Sequence, residues 1–303
     1  MMEGEKDMAK ILVLGGSRYF GKRLVNLLAG SGVHEVTVAT RGQAEVQFGG
    51  PVTQLRLDRT DENSLREAAA AGPWDIVYDN ICFSPNEALA AARAFQGRVG
   101  HYILTSTLSV YKLGKVPLAE ADFDPYGYEL KLGDKQAFDY GEGKRLAEAA
   151  LFQEADFPVS ALRIPIVLGP DDYTRRLHFH VEHVQQGLPI GVPNLDAAIS
   201  FITSAETAKF LAWLGETRLT GPINACSDGE ITIGGILRLI ESVTGKTALI
   251  ERETAPEHQS PFGIPTSWVM DNTKARETGY RFEALDEWLP ELVRHIAASE
   301  LKE

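Results

Sequence analysis

Four apolar residues, Ile11-Leu12-Val13-Leu14, run straight into Gly15-Gly16-Ser17-Arg18-Tyr19-Phe20-Gly21. No other stretch limits the possible folds as much. A short, uninterrupted apolar run reads as a strand buried on both faces. Behind the glycines, Leu24, Val25, Leu27 and Leu28 recur at helical spacing. Strand, glycine turn, helix is the opening unit of a dinucleotide-binding fold. There a pyrophosphate sits on the free N–H groups of the helix N-terminus, and glycine lets the backbone come close. In this reading Gly15 makes the tight turn and Gly21 lets the helix lie close to the strand. The usual G-x-x-G-x-x-G spacing has lost its middle glycine to Arg18, leaving G-G-x-x-x-x-G. The expected cradle is Gly15, Gly16, Ser17, Arg18, Tyr19, Phe20 and Gly21. An ordinary βα turn would use the same residues, so the rest of the chain has to decide.

Strand and helix patterns alternate beyond the turn. Glu35–Thr40 and Val52–Leu57 read as strands, Asp61–Ala71 as a helix, and Trp74–Tyr78 as a strand. Pro85–Phe95 reads as a helix and His101–Thr105 as a strand. Such alternation predicts an α/β fold, a Rossmann-type doubly wound parallel sheet with helices on both faces. At 303 residues the chain is one large domain or two modest ones. The polar lead-in, Met1–Lys10, lacks the apolar core of a signal peptide, and no apolar run approaches the ~20 residues of a membrane span. Cys82 and Cys226 have no metal spacing, which suits a cytoplasmic, disulfide-free protein. A net charge of −12 argues against non-specific nucleic-acid binding.

Cofactor and chemistry cues sit at strand ends. Folds that take NAD usually place a carboxylate on the ribose 2′-hydroxyl at the end of the second strand. Here Thr40 and Arg41 stand there, and a guanidinium suits a 2′-phosphate, so NADP is preferred with NAD as the alternative. Asp58, closing the third strand, either faces the adenine or caps the next helix. After the fifth strand comes Ser106-Thr107, and Tyr140-Gly141-Glu142-Gly143-Lys144 opens the next helical pattern, Leu146–Phe152. On a helix Tyr140 and Lys144 lie one turn apart on one face. A phenol has an ordinary pKa of about 10, and lowering it by about three units needs roughly 4 kcal/mol of preferential stabilisation of the phenolate. A neighbouring ammonium and a cationic nicotinamide ring can supply that. Thr107, at a strand end, is placed to bond the same substrate oxygen.

At this point the chain resembles the short-chain dehydrogenase/reductase superfamily, and within it the extended NAD(P)-dependent epimerase/dehydratase family. Ser106-Thr107 with Val110-Tyr111 matches S-S-x-x-V-Y, and Tyr140-Gly141 with Lys144 and Glu148 matches Y-G-x-x-K-x-x-x-E. Leu162-Arg163 with Gly169-Pro170, Asn224 with Thr232, and Asp271 with Lys274-Ala275 and Gly279-Tyr280 match three later segments. The resemblance implies Thr107, Tyr140 and Lys144 as the catalytic set, with Ser106, Tyr140 and Lys144 also against the cofactor. It implies a Rossmann domain over residues 8–165, with 198–226 returning to it. Most of 166–303 is then a small substrate-binding lobe. It implies hydride transfer at a secondary alcohol or ketone, with a sugar nucleotide or related small molecule as substrate. It also implies a homodimer through two helices, for which Ala88, Leu89, Ala92 and Phe95 offer a face. The G-G-x-x-x-x-G turn resembles that of an atypical subgroup that includes chloroplast stem-loop-binding proteins. Phe201-Ile202-Thr203-Ser204-Ala205 and the D-N-I-C of residues 79–82 depart from the common sugar-epimerase pattern. RNA binding and a non-catalytic NADP sensor are therefore the rival readings.

The C-terminal half is less regular. Arg175 and Arg176 are candidate bidentate grips for a diphosphate or carboxylate of the substrate. Of His178, His180 and His183, only the last two share a helix face, and no carboxylate is clearly paired with them, so they read as packing with no metal. The long connection 112–139 is expected to overhang the site. Leu285–Ala298 reads as a packing helix.

Overall fold

A computed structural model describes residues 8–42 and 46–299; most of the polar lead-in lies outside the described residues. The chain divides into two compact units. The first comprises Met1–Tyr111, Glu120–Ile164 and Thr207–Ile223, and the second Lys112–Ala119, Pro165–Glu206 and Asn224–Glu303. The excursion 112–119 has no sequence signature that would have assigned it to the second unit.

The first unit is built on β1 (Lys10–Leu14), α1 (Tyr19–Gly30), β2 (Glu35–Thr40), β3 (Thr53–Arg56), α2 (Glu62–Ala70), β4 (Ile76–Asp79), α3 (Pro85–Phe95), β5 (Tyr102–Thr107), α4 (Tyr140–Glu154) and β6 (Val159–Ile164). These strands pair in parallel in the order β6-β5-β4-β1-β2-β3. The order reverses between β1 and β4, and ligands of open α/β sheets bind at such a switch point, beyond the carboxyl ends of the strands. Strands β1, β4, β5 and β6 are buried almost throughout, as parallel strands covered on both faces must be.

Local chemistry sets the helix starts. Asp61 accepts from the Asn63 N–H ahead of α2, Ser84 accepts from Glu87 N–H with Pro85 in the first turn of α3, and Asp139 accepts from Glu142 N–H ahead of α4. Ala88, Ala91, Ala92 and Phe95 of α3 are buried in the chain's own core with Ala147, Ala150 and Leu151 of α4. The sequence reading offered Ala88, Ala92 and Phe95 to a second subunit. That is corrected here: these side chains are covered within the chain, and only Leu89 of that set is partly exposed.

The second unit carries β7 (Ile166–Leu168), α5 (Arg176–Gln186), β8 (Pro189–Gly191), β9 (Ala198–Ile199) and β10 (Phe201–Thr203), and α6 (Ser204–Thr217) begins there. After β11 (Gly221–Asn224), which adds to the β6 edge of the large sheet, come β12 (Ile231–Thr232), α7 (Ile233–Thr244), β13 (Leu249–Glu251), α8 (Thr273–Glu277) and α9 (Leu285–Ser299). Its core joins α5, α7 and α9 through Leu177, Val181, Ile236, Ile240, Leu289 and Val293. Among the described residues no helix is long and apolar enough to cross a membrane.

His180 of α5 lies in that core. Its Nδ1 pairs with the Arg176 carbonyl at 2.8 Å, its Nε2 with Ser260 Oγ at 2.7 Å, and its ring stacks on Phe262. A carbonyl oxygen can only accept, so in the neutral ring Nδ1 carries the proton and Nε2 accepts from the serine hydroxyl. Burial, the larger effect, pushes the imidazole down to about 4. The unfolded chain has an ordinary histidine near 6.5. The folded state therefore holds the neutral form, and its advantage is complete above pH 6.5 and lost as pH falls toward 4. The thermal midpoint should drop across that window, and H180Q should flatten the drop. An unchanged slope in H180Q would show that His180 does not drive it.

Candidate active site

The glycine turn is a close contact that side chains would prevent. A Cβ on Gly15, whose φ is +81°, would stand 2.5 Å from Cγ2 of Ile81. On Gly16 it would stand 2.7 Å from Cγ2 of Val25, and on Gly21 2.6 Å from the Gly15 carbonyl oxygen. Gly15 N–H donates to the Ala39 carbonyl and ties the turn to β2. Ser17 and the exposed Arg18 carry the chain into α1, and Tyr19 takes a left-handed φ of +52° before Phe20. Non-glycine residues in that region are strained and cluster at functional turns. α1 has no side-chain cap and no acid in its first turn. Its N-terminal N–H groups and dipole thus suit an anion, and the turn fits a dinucleotide pyrophosphate.

β4 ends in a polar knot that the sequence reading missed. The buried Asp79 accepts from Arg59 Nη2 at 2.8 Å, from Tyr102 Oη at 2.5 Å and from Ile81 N–H. Burial, the largest single effect, opposes the Arg59 charge, but the Asp79 carboxylate, Cys82 and Tyr102 together drive the pKa up. Asn80 is the bridge to the turn: its N–H donates to Leu14 O, its Nδ2 to Gly15 O, and its Oδ1 accepts from Thr105 Oγ1 at 2.7 Å. The only available signal was the D-N-I-C segment itself. Cys82 is buried, and burial first pushes its thiol up to about 12, so it stays protonated and unreactive.

Tyr140 opens α4 with 54% of its surface exposed, while Lys144, one turn later, is 2% exposed. The Lys144 ammonium donates to the Cys82 carbonyl at 2.8 Å and the Thr105 carbonyl at 2.5 Å. It also lies 5.3 Å from the Phe83 ring centroid, and that ring is 6.4 Å from the Tyr140 ring. Two glycines permit this approach. A Cβ on Gly141 would meet Ser109 O at 2.7 Å, and one on Gly143 would meet Phe83 O at 2.6 Å. Thr107, two residues before Ser109, ends β5 and accepts from the Ser109 N–H. The start of α4, the end of β5 and the loop after β4 are thus packed into one corner.

Other candidates lie differently. Ser106 points off the opposite face of β5, where its hydroxyl donates to the buried Glu148, so its side chain is not brought to the corner. Asp58 accepts two bonds from Thr60, which lower its carboxyl, and the Arg41 charge adds to them. The exposed Asp58 thus sits in a turn leading into α2. Arg41 is exposed just beyond β2. In the second unit Arg175, left-handed at φ +52°, places its guanidinium on Glu182, and Arg176 begins α5. An internal ion pair occupies the first of these two proposed grips. His183 Nε2 pairs with His258 Nδ1 at 3.1 Å. Among the described residues no group of three or more His, Cys, Asp or Glu side chains could hold a metal.

Comparison with known proteins follows the same lines. Residues 11–225 match the model of the NAD dependent epimerase/dehydratase family, and the chain belongs to that enzyme family. The chloroplast stem-loop binding protein of 41 kDa b of Arabidopsis thaliana is 25% identical over 252 residues, which cover 78% of this chain and 63% of that protein. The chain thus spans under two thirds of that relative's length. UDP-glucuronic acid decarboxylase 1 of Danio rerio is 24% identical over 289 residues, covering 85% of this chain and 67% of the relative. The Bordetella bronchiseptica enzyme WbmG, solved with NAD and UDP, superposes with a TM-score of 0.73 at 18% identity, over 99% of this chain and 96% of that one. That likeness is one of fold.

The turn geometry has a direct consequence. G21A should lose about 1–3 kcal/mol of stability in chemical denaturation, because its methyl group meets backbone that cannot swing away. A neutral effect would mean that α1 does not approach β1 this closely.

Proposed function

We propose that the chain transfers a hydride between NADP, in preference to NAD, and a secondary alcohol or ketone. The substrate class is a sugar nucleotide or a related small molecule. The observation that carries this reading is the buried Lys144 ammonium, one helical turn behind a half-exposed Tyr140, at the carboxyl edge of the sheet beside the glycine turn.

A nicotinamide dinucleotide held by these residues would supply the hydride-transfer chemistry. The protein's part is proton handling and orientation. Tyr140 Oη takes the proton from the substrate hydroxyl or returns it to the carbonyl oxygen. Thr107 Oγ1 orients that oxygen. Lys144 stabilises the phenolate by its charge. An ammonium has three N–H donors. Two of Lys144's are fixed on carbonyls, leaving a third for a ribose hydroxyl. Gly15–Gly21 and the first turn of α1 hold the pyrophosphate, and Arg41 meets the 2′-phosphate.

Y140F, assayed with NADP and NAD against a panel led by UDP-glucuronic acid and UDP-glucose, should lose at least about 100-fold in turnover. Full turnover in Y140F would refute the role. R41S should weaken NADPH about tenfold by fluorescence titration and leave NADH unchanged, as expected for loss of one guanidinium–phosphate pair. Equal losses for both would remove the NADP preference. RNA binding is favoured by one observation, the 25% identity to a stem-loop binding protein, and opposed by the net charge of −12. A salt-dependent gel shift with a stem-loop RNA would establish it.

A further inference from the structure

We infer that Glu148 and Arg163 form a positioning pair that sets Lys144 and Thr107 for the nicotinamide half of the cofactor. This rests on the hydride-transfer reading above.

Two successive turns of α4 hold two successive residues of β5. Lys144 donates to the Thr105 carbonyl, and Glu148, four residues on, accepts from the Ser106 hydroxyl. Thr107 is the next residue of that strand. In the parallel ladder Ser106 stands opposite Arg163, and both bond the same carboxylate. Arg163 and Glu148 are fully buried. A guanidinium has five N–H donors. Here Nε and one Nη2 donor go to Glu148, the other Nη2 donor to Phe123 O, and the two Nη1 donors to Tyr111 Oη and Glu120 O. The Tyr111 and Phe123 rings lie 5.0 and 5.1 Å from its central carbon. The pair therefore grips α4, β5, β6, the turn after Thr107 and the chain's return at 120–123. None of these groups lies in the glycine turn. Loss of the Glu148 charge frees α4 to rotate or slide against β5, and Lys144 and Thr107 move with it.

The test splits the dinucleotide. NADPH has a nicotinamide ribose for Lys144 to hold, whereas 2′-phospho-ADP carries the glycine-turn and Arg41 contacts without that ribose or the ring. Each is titrated by tryptophan quenching into wild type, K144M, E148Q and S106A, with thermal midpoints measured alongside. Wild type should bind both. K144M and E148Q should each weaken NADPH about tenfold, and S106A about threefold, with 2′-phospho-ADP unchanged. S106A removes only one bond of the node and keeps the test open if E148Q fails to fold. Wild-type NADPH affinity in S106A and in folded E148Q, or equal losses for both nucleotides, would overturn the positioning role. No NADPH binding by wild type, or no effect of K144M, would instead overturn the hydride-transfer reading, and the positioning role would fall with it.

Discussion

A methyl group at residue 21 would stand 2.6 Å from the carbonyl oxygen of Gly15, and the first unit depends on its absence. Because α1 can lie on the end of β1, its N-terminal N–H groups face the space above the sheet's switch point. The same turn is squeezed from the other side, where Ile81 occupies the space a side chain on Gly15 would need. Asn80 then ties the Gly15 carbonyl, the end of β1 and the Thr105 hydroxyl together. What fixes the turn is thus the loop after β4 as much as the glycines. That loop also supplies the Cys82 carbonyl that anchors Lys144. The glycine turn and the Tyr140–Lys144 helix are held by one short segment, residues 80–83.

The strands and helices of the first unit were legible because each has a local cause. β1 is a short apolar run, α2 and α3 open on capping residues, and the spacing of Tyr140 and Lys144 is a helical repeat. Pairings distant in sequence were not legible. Asp79 meets Arg59 twenty residues away and Tyr102 twenty-three away, and no periodicity encodes either. Ser106 was misread for a different reason: adjacent residues of a strand face opposite sides, so Ser106 and Thr107 cannot both turn toward one site. The apolar face of α3 is visible in the sequence, but a periodic stripe does not say whether its partner is another helix of the same chain or a second subunit. Arg175 shows the same limit for charge, since its carboxylate partner lies seven residues on, inside α5. Gly141 and Gly143 were present in the motif. Their meaning, close backbone approach to Ser109 and Phe83, needs coordinates.

β5 brings these constraints together. It lies between β4 and β6 and is buried along its whole length, yet half of its residues are Ser or Thr. A buried hydroxyl left without a partner costs about 1–3 kcal/mol. Each polar group of β5 has one. Tyr102 and Ser106, four residues apart on one face, donate to Asp79 and Glu148, which in turn carry Arg59 and Arg163. Thr105 and Thr107, on the other face, bond to Asn80 and the Ser109 N–H. A slip of one residue would exchange the two faces and strand two buried carboxylates without their hydroxyl partners. The polar groups therefore specify the register of the strand that presents Thr107, which an all-apolar strand in the same place would leave to packing alone.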